Sequence, residues 1–197
     1  MEKNPSRQLI LDAVLICIEK YGIDKVTTRK IAEEAGTNIA SINYYFHTKE
    51  SLLAEALAMA LNHMLEDVNL AIEAQGSSFP HILEEVLFYL IDGNNRFPGI
   101  TMAHLYSAIL SRQPNSPGAI AINTIFEKLA KQAAEEYPRL EAGQLRFILS
   151  QVLASTIFMM LSPRFFPSVE FFQSQDTAAS RNLAAQYRQM FLSALDV

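Results

Sequence analysis

A chain of 197 residues, half of them hydrophobic, can bury one or two real cores and is not the composition of a disordered protein. Its 16 basic and 21 acidic residues leave a net charge of −5, the reverse of the usual balance in a nucleic-acid binder. A single cysteine, Cys17, excludes an intrachain disulfide.

The charge is unevenly placed. Residues 1–52 hold seven basic and seven acidic side chains, and the rest of the chain holds nine and fourteen. The N-terminal segment is therefore the part that can meet a polyanion without net repulsion. The polar start, Met1 to Arg7, has no secretory pattern, and the apolar run from Phe147 to Leu161 is interrupted by Ser150, Gln151, Ser155 and Thr156. The expectation is a cytoplasmic protein with no membrane span.

Nearly every long segment has helical period, and none pairs off as a hairpin. A first helix begins near Ser6, with Leu9, Ile10, Ala13, Val14, Cys17 and Ile18 on its apolar face, and stops at Gly22. Cys17 reads as a small buried hydrophobe. Thr27 or Thr28 caps a second helix that runs to Ala35 and closes at Gly36; Asn38 caps a third that runs to about Tyr45. A long fourth helix starts at Lys49 and persists to about Ala74, before the breaker Gln75-Gly76-Ser77-Ser78. Pro80 opens a fifth, followed by a break from Asn94 to Gly99. A sixth covers Ile100 to Ser111, a seventh ends at Tyr137, an eighth spans Glu141 to Leu161 and a ninth spans Thr177 to Leu195. Pro163 to Asp176, with four phenylalanines, reads as an ordered loop packed on the body.

The third helix concentrates the chemistry. Ile42 and Phe46 are four apart and share a docking face, while Ser41, Tyr44 and Tyr45 point elsewhere and Ile39 and Ala40 occupy the leading turn. A recognition helix needs an apolar back, small residues near the groove and hydrogen-bonding tips. Tyrosine hydroxyls and the Asn43 amide can hold phosphates or bases, and Ile39 can meet a thymine methyl. Thr28 and Lys49 begin the flanking helices, where backbone N–H groups favour phosphate.

Several elements together resemble the DNA-binding domain of the tetracycline-repressor (TetR) family of transcriptional regulators. They are Ile10-Leu11-Asp12-Ala13, Tyr21-Gly22, Thr27-Thr28, Ile31-Ala32-Glu33-Glu34-Ala35-Gly36, Tyr44-Tyr45-Phe46 and Lys49-Glu50-Ser51-Leu52-Leu53. The resemblance covers Arg7 to Leu53, about a quarter of the chain. It implies a homodimer on double-stranded operator DNA and a C-terminal helical domain that binds a small-molecule effector. By the same resemblance, the DNA-contacting positions are Thr28, Arg29, Asn38, Ile39, Ala40, Ser41, Asn43, Tyr44, Tyr45 and Lys49. The chain departs from the family pattern at Thr37, where an apolar residue is common, at Asn43, where Tyr is common, and at Tyr45, where His is common.

The expected architecture is all-α. Residues 1–52 form a three-helix helix-turn-helix domain, and a long helix joins it to a ligand-binding and dimerisation domain of residues 53–197. Met and aromatic residues at helical spacing are usually plain core. Their alternative role is an apolar pocket, for which the candidates are Phe88, Tyr89, Met102, His104, Tyr106, Phe126, Phe158 and Met159. Dimer candidates are Leu149, Val152, Leu153 and Thr156 on the eighth helix and Leu183, Tyr187, Met190 and Phe191 on the ninth; intrachain packing is their alternative. His63-x-x-Glu66 and His81-x-x-Glu84 share helix faces, but the order is reversed from helical di-iron sites and further carboxylates are not evident. No phosphate loop, nucleophile elbow or Cys/His array is present. The expectation is a regulator without metal or cofactor and without enzymatic activity, most simply a repressor released by a largely apolar ligand. An all-α binding or adaptor protein without DNA binding, or a helical metalloenzyme, is the alternative.

Overall fold

The computed structural model describes residues 5–109, 115–162, 165 and 176–195. Among them are nine α-helices and no strand. The order is α1 (Pro5–Tyr21), a 3-10 turn (Ile23–Lys25), α2 (Thr28–Glu34), α3 (Ile39–Phe46), α4 (Lys49–Ile72), α5 (Phe79–Arg96), α6 (Pro98–Ile109), α7 (Pro117–Glu136), α8 (Ala142–Leu161) and α9 (Thr177–Leu195). The expected Phe-rich loop from Pro163 to Asp176 lies outside the described residues apart from Phe165 and Asp176.

The chain divides into two compact units, one of Met1–His63 and Gly99–Pro117, the other of Met64–Pro98 and Gly118–Val197. The border expected after residue 52 falls inside the first of these. The difference has a packing cause. Leu52 and Ala56 of α4 are buried in the same core as α1 to α3, and so is Ala103 of α6, with Ile100 packed against it. Sequence periodicity marks faces and cannot say which distant helix will cover them.

In the first unit, the stripe Ile10, Val14, Cys17 and Ile18 of α1 is fully buried together with Ile31, Ile42, Phe46 and Leu52. Each such aliphatic side chain contributes about 1.5–3 kcal/mol by leaving water. Burial also pushes the Cys17 thiol pKa up, as expected of an inert core thiol.

The second unit is built on α5 against α9. Phe79, Leu83, Val86, Leu87 and Ile91 face a core that includes Leu183, Ala184, Tyr187 and Phe191. Phe79 and Phe191 meet with ring centroids 5.2 Å apart, and Tyr137 lies 6.3 Å from each. Polar links flank this seam: Arg188 pairs with Glu84 at 2.6 Å and Arg181 pairs with Glu85. The Arg181 guanidinium also sits 3.5 Å from the centroid of Phe88.

Two expectations from the sequence change here. The break at Asn94 begins too early, because α5 continues to Arg96. Asn94 and Asn95 read as part of that break by residue type, yet both are buried, as is Asp92 before them. Asn95 donates to the Ser180 hydroxyl at 3.2 Å and Arg96 pairs with Asp92 at 2.8 Å, so tertiary partners override local preference. The expectation that the eighth helix is too short and polar to span a bilayer is also corrected. By length and composition alone, α8 qualifies among the described helices, with a mean hydropathy of 1.4. Leu145, Leu149, Val152, Leu153, Thr156 and Met160 of this helix are buried within the chain.

Candidate nucleic-acid interface

The turn between α2 and α3 is set by local chemistry. Thr27 caps α2, its hydroxyl accepting from the Lys30 N–H at 3.3 Å. At the other end, Gly36 has φ 63°. The Thr37 N–H reaches the Ala32 carbonyl at 3.0 Å and the Gly36 N–H reaches Glu33 at 3.4 Å. This pair of bonds is a Schellman ending, and its left-handed residue favours glycine. Asn38 then caps α3, with Oδ1 accepting from the Ser41 N–H at 2.8 Å.

The docked face of α3 follows the expected spacing. Ile42 and Phe46 are each 2% exposed. Ile39, Ala40, Asn43 and Tyr44 are exposed to solvent, and Tyr44 is 77% exposed. Ser41 is half-buried. Tyr45 differs from expectation: it is half-buried and packs against the first core, with its ring 5.2 Å from Tyr44. Its neighbour Tyr44 is the freer hydroxyl.

The flanking positions carry structural duties that periodicity did not reveal. Lys49 donates to the Val26 carbonyl at 3.1 Å, so one of its three N–H groups is engaged. Arg29 pairs with Glu33 at 3.0 Å, one turn along α2. Thr28 is half-buried at the start of that helix. Lys20 pairs with Glu34 at 2.7 Å and Arg7 with Glu55 at 2.5 Å. Lys30 donates to the Lys25 carbonyl at 3.0 Å and lies 4.0 Å from the Tyr21 ring centroid. Among the described cations of this unit, Arg7, Lys20 and Arg29 are thus paired with carboxylates, and Lys30 and Lys49 are held by backbone carbonyls.

Three further positions in the same unit were not picked out from the sequence. Lys25 is exposed just before α2. His47 is exposed and joins α3 to α4 with φ 60° and ψ −50°. The Thr48 N–H folds back to the Phe46 carbonyl at 2.6 Å, a γ-turn of positive φ. Thr48 in turn caps α4, its hydroxyl accepting from the Ser51 N–H at 3.1 Å. The Thr-x-x-Ser spacing signals that cap, whereas nothing in the sequence announces a left-handed histidine.

The expected effector residues are divided between the two units. Met102, His104 and Tyr106 lie on α6 in the first unit, and Phe88, Tyr89, Phe126, Phe158 and Met159 lie in the second. Phe88 is buried beneath Arg181, and Phe126 has the Arg146 guanidinium 4.8 Å from its centroid. Burial pushes the His104 imidazole pKa down, and its buried Nε2 has no hydrogen-bond partner among the described residues.

Seven of the eight expected dimer positions are already covered within the single chain. Leu149, Val152, Leu153, Thr156, Leu183, Tyr187 and Phe191 are all buried within the single chain. A side chain already withdrawn from water gains nothing from a second burial. Of the eight, only Met190 is exposed. The exposed apolar stripe of α8 is a different one: Phe147 at 66%, Ala154, and Phe158 at 49%, whose ring lies 5.8 Å from Phe165.

His63, Glu66 and His81 are exposed, and Glu84 is engaged with Arg188. Among the described residues no group of three metal-ligating side chains comes together.

A short capped helix, docked by two apolar residues and presenting polar tips outward, defines a helix-turn-helix protein with an all-α body. Residues 10–56 match the family described as bacterial regulatory proteins, tetR family. The match covers the helix-turn-helix segment, about a quarter of the chain. Among its relatives is the HTH-type transcriptional regulator BetI of Serratia proteamaculans, 31% identical over 74 residues, 38% of this chain and 37% of the relative. Over that match the chain spans little more than a third of the relative's length. The nucleoid occlusion factor SlmA of Yersinia pseudotuberculosis is 25% identical over 157 residues, 78% of this chain and 77% of the relative. Among solved structures, a TetR-like regulator from Rhodococcus sp. RHA1 has a TM-score of 0.69 at 14% identity, covering 98% of both chains. The fold also matches FadR from Bacillus subtilis in complex with stearoyl-CoA, with a TM-score of 0.63 at 17% identity over 95% of this chain and 98% of that one.

Proposed function

We propose that the protein is a homodimeric transcriptional regulator that reads operator DNA with α3, most simply a cytoplasmic repressor released by a small, largely apolar effector. The observation that carries this reading is the division of α3 into two faces. Ile42 and Phe46 are sealed in the core, while Ile39, Ala40, Asn43 and Tyr44 stand in solvent with small residues at the leading turn. Exposed aromatic and amide side chains on a firmly docked short helix are costly to explain as a plain surface.

The contact set of the proposed interface is Ile39, Ala40, Asn43 and Tyr44 for the groove. Thr28, Arg29, Ser41, Tyr45 and Lys49 hold the backbone, and Asn38 serves chiefly as the cap. Dimerisation is assigned to the exposed stripe of α8, Phe147, Ala154 and Phe158, with Met190 of α9, in place of the residues that are buried. A two-fold dimer would present two recognition helices to successive major grooves. The effector is assigned to the second unit, where Tyr89, Phe126 and Met159 are half-buried against an apolar core.

A mobility-shift titration with the DNA upstream of its own gene tests the reading. Sequence-selective binding that weakens with salt is expected. Absence of such binding, with the protein folded and dimeric, would leave an all-α binding protein instead.

A further inference from the structure

The Glu19 side chain on α1 reaches the first turn of α6. Its two oxygens accept from the Gly99 N–H at 3.0 Å and from the Ile100 N–H at 2.7 Å. Both donors belong to the turn whose N–H groups have no partner within the helix. A carboxylate at that end is also favoured by the helix dipole. The two bonds are charge-assisted and fix the position of α6 on α1.

Gly99 is the second half of the device. A Cβ there would lie 3.0 Å from Glu19 Oε2, 3.1 Å from the Ile18 carbonyl oxygen and 3.2 Å from Glu19 Cα. The last two are backbone atoms of α1, so any larger residue would push α6 away. Beyond this turn, Ile100 and Ala103 pack into the core that also holds Ile42 and Phe46, the docking residues of α3. At the other side of Gly99, only Phe97 and Pro98 separate the turn from the end of α5, which lies wholly in the second unit.

We infer that Glu19 and Gly99 form a latch that clamps the start of α6 to the DNA-reading unit, and that closing it favours DNA binding. The sign follows from the packing. With the latch closed, α6 contributes Ile100 and Ala103 to the core that also seats Ile42 and Phe46, which stiffens the recognition helix before it meets DNA and lowers the cost of association. A pull on the short Phe97–Pro98 connection acts directly on the two carboxylate bonds. Glu19 is on this account a positioning residue, coupled to DNA without touching it. The inference rests on the DNA-binding reading above.

Hydrogen exchange of the full-length protein tests it, read at the first turn of α6 with and without the upstream duplex. By linkage, DNA should slow exchange there if opening the latch weakens DNA binding. Glu19→Gln should speed that exchange and weaken duplex affinity about tenfold, with exchange in α5, α7 and α9 unchanged; Gly99→Ala should do the same through steric exclusion. Exchange that DNA does not alter, or a Glu19→Gln protein with a loosened turn and wild-type affinity, would overturn the latch while leaving the regulator reading intact. If neither variant folds, the wild-type exchange comparison decides alone. Failure of the wild-type protein to bind any duplex sinks both proposals and is recognised before any variant is made.

Discussion

The Lys49 ammonium donates to the Val26 carbonyl at 3.1 Å, tying the start of α4 to the segment that precedes α2. A residue placed by the family pattern at the phosphate edge therefore also holds two helix starts together. Lys49→Met should cost about 1 kcal/mol of stability, the scale of a partly exposed charged hydrogen bond. Chemical denaturation measures it. A variant as stable as the parent would show the tie to be incidental.

Tyr44 and Ile42 are two residues apart and should behave oppositely. Tyr44→Ala removes an exposed side chain, so stability should change by less than about 0.5 kcal/mol, while operator affinity drops roughly tenfold or more, the range of one base or backbone contact. Ile42→Asp buries a charge in the first core and should unfold that unit. Circular dichroism and anisotropy together separate the two outcomes. Equal DNA affinity for Tyr44→Ala would remove it from the interface.

The matched cations imply a shallow salt dependence for so many basic residues. Arg29 is held by Glu33, Lys20 by Glu34 and Arg7 by Glu55. Glu33→Gln would free Arg29 for phosphate. Affinity should rise, and the slope of log K against log salt should steepen by about 1. An exposed pair contributes little to folding, so the melting temperature should barely move. A salt slope unchanged by the substitution would place Arg29 away from DNA.

Phe147→Asp and Phe158→Asp should turn a dimer into a monomer at micromolar concentration, read by sedimentation velocity. Phe147 is 66% and Phe158 49% exposed in the single chain, so the monomer should stay folded. Leu149→Asp, two residues from Phe147, should instead unfold the second unit because Leu149 is fully buried. A dimer that survives both phenylalanine substitutions would exclude this face of α8.

Acid should weaken the fold through His104. Burial holds its pKa below the ordinary histidine value, so the unfolded chain binds this proton more readily than the folded one. Stability from this group is then fully present above the unfolded pKa of about 6.5 and is lost as pH falls toward the lower, folded value. His104→Leu should flatten the decline in melting temperature between about pH 7 and pH 5. An unchanged decline would assign the acid response to other groups.

Helix positions were largely readable in the sequence because capping residues and breakers are local signals. Thr27, Gly36 and Asn38 act within three to five residues, and their roles follow from side-chain reach alone. The docking face of α3 was legible for the same reason. The residues that escaped are those whose roles depend on distant partners. Asn95 looks like a loop residue until Ser180 is beside it, and Lys49 looks free until Val26 is placed. The stripes Leu149-Val152-Leu153 and Leu183-Tyr187-Phe191 were legible as apolar faces. Their destination was not, since periodicity cannot distinguish a core from a partner's surface. Tyr45 stood among the outward tips by pattern, but its half-burial depends on how closely α3 rests on its neighbours.

The γ-turn at His47 leaves only two residues between the end of α3 and the start of α4. Such a joint has no slack. Inserting or deleting one residue there would break the γ-turn bond from Thr48 to Phe46 and displace the reading face of α3 relative to α4. Substitutions that tune recognition can accumulate on α3, but a change of length at this joint cannot be absorbed locally. The joint behaves as a gear tooth between the two helices: whatever turns the first turns of α4 turns the reading face with it.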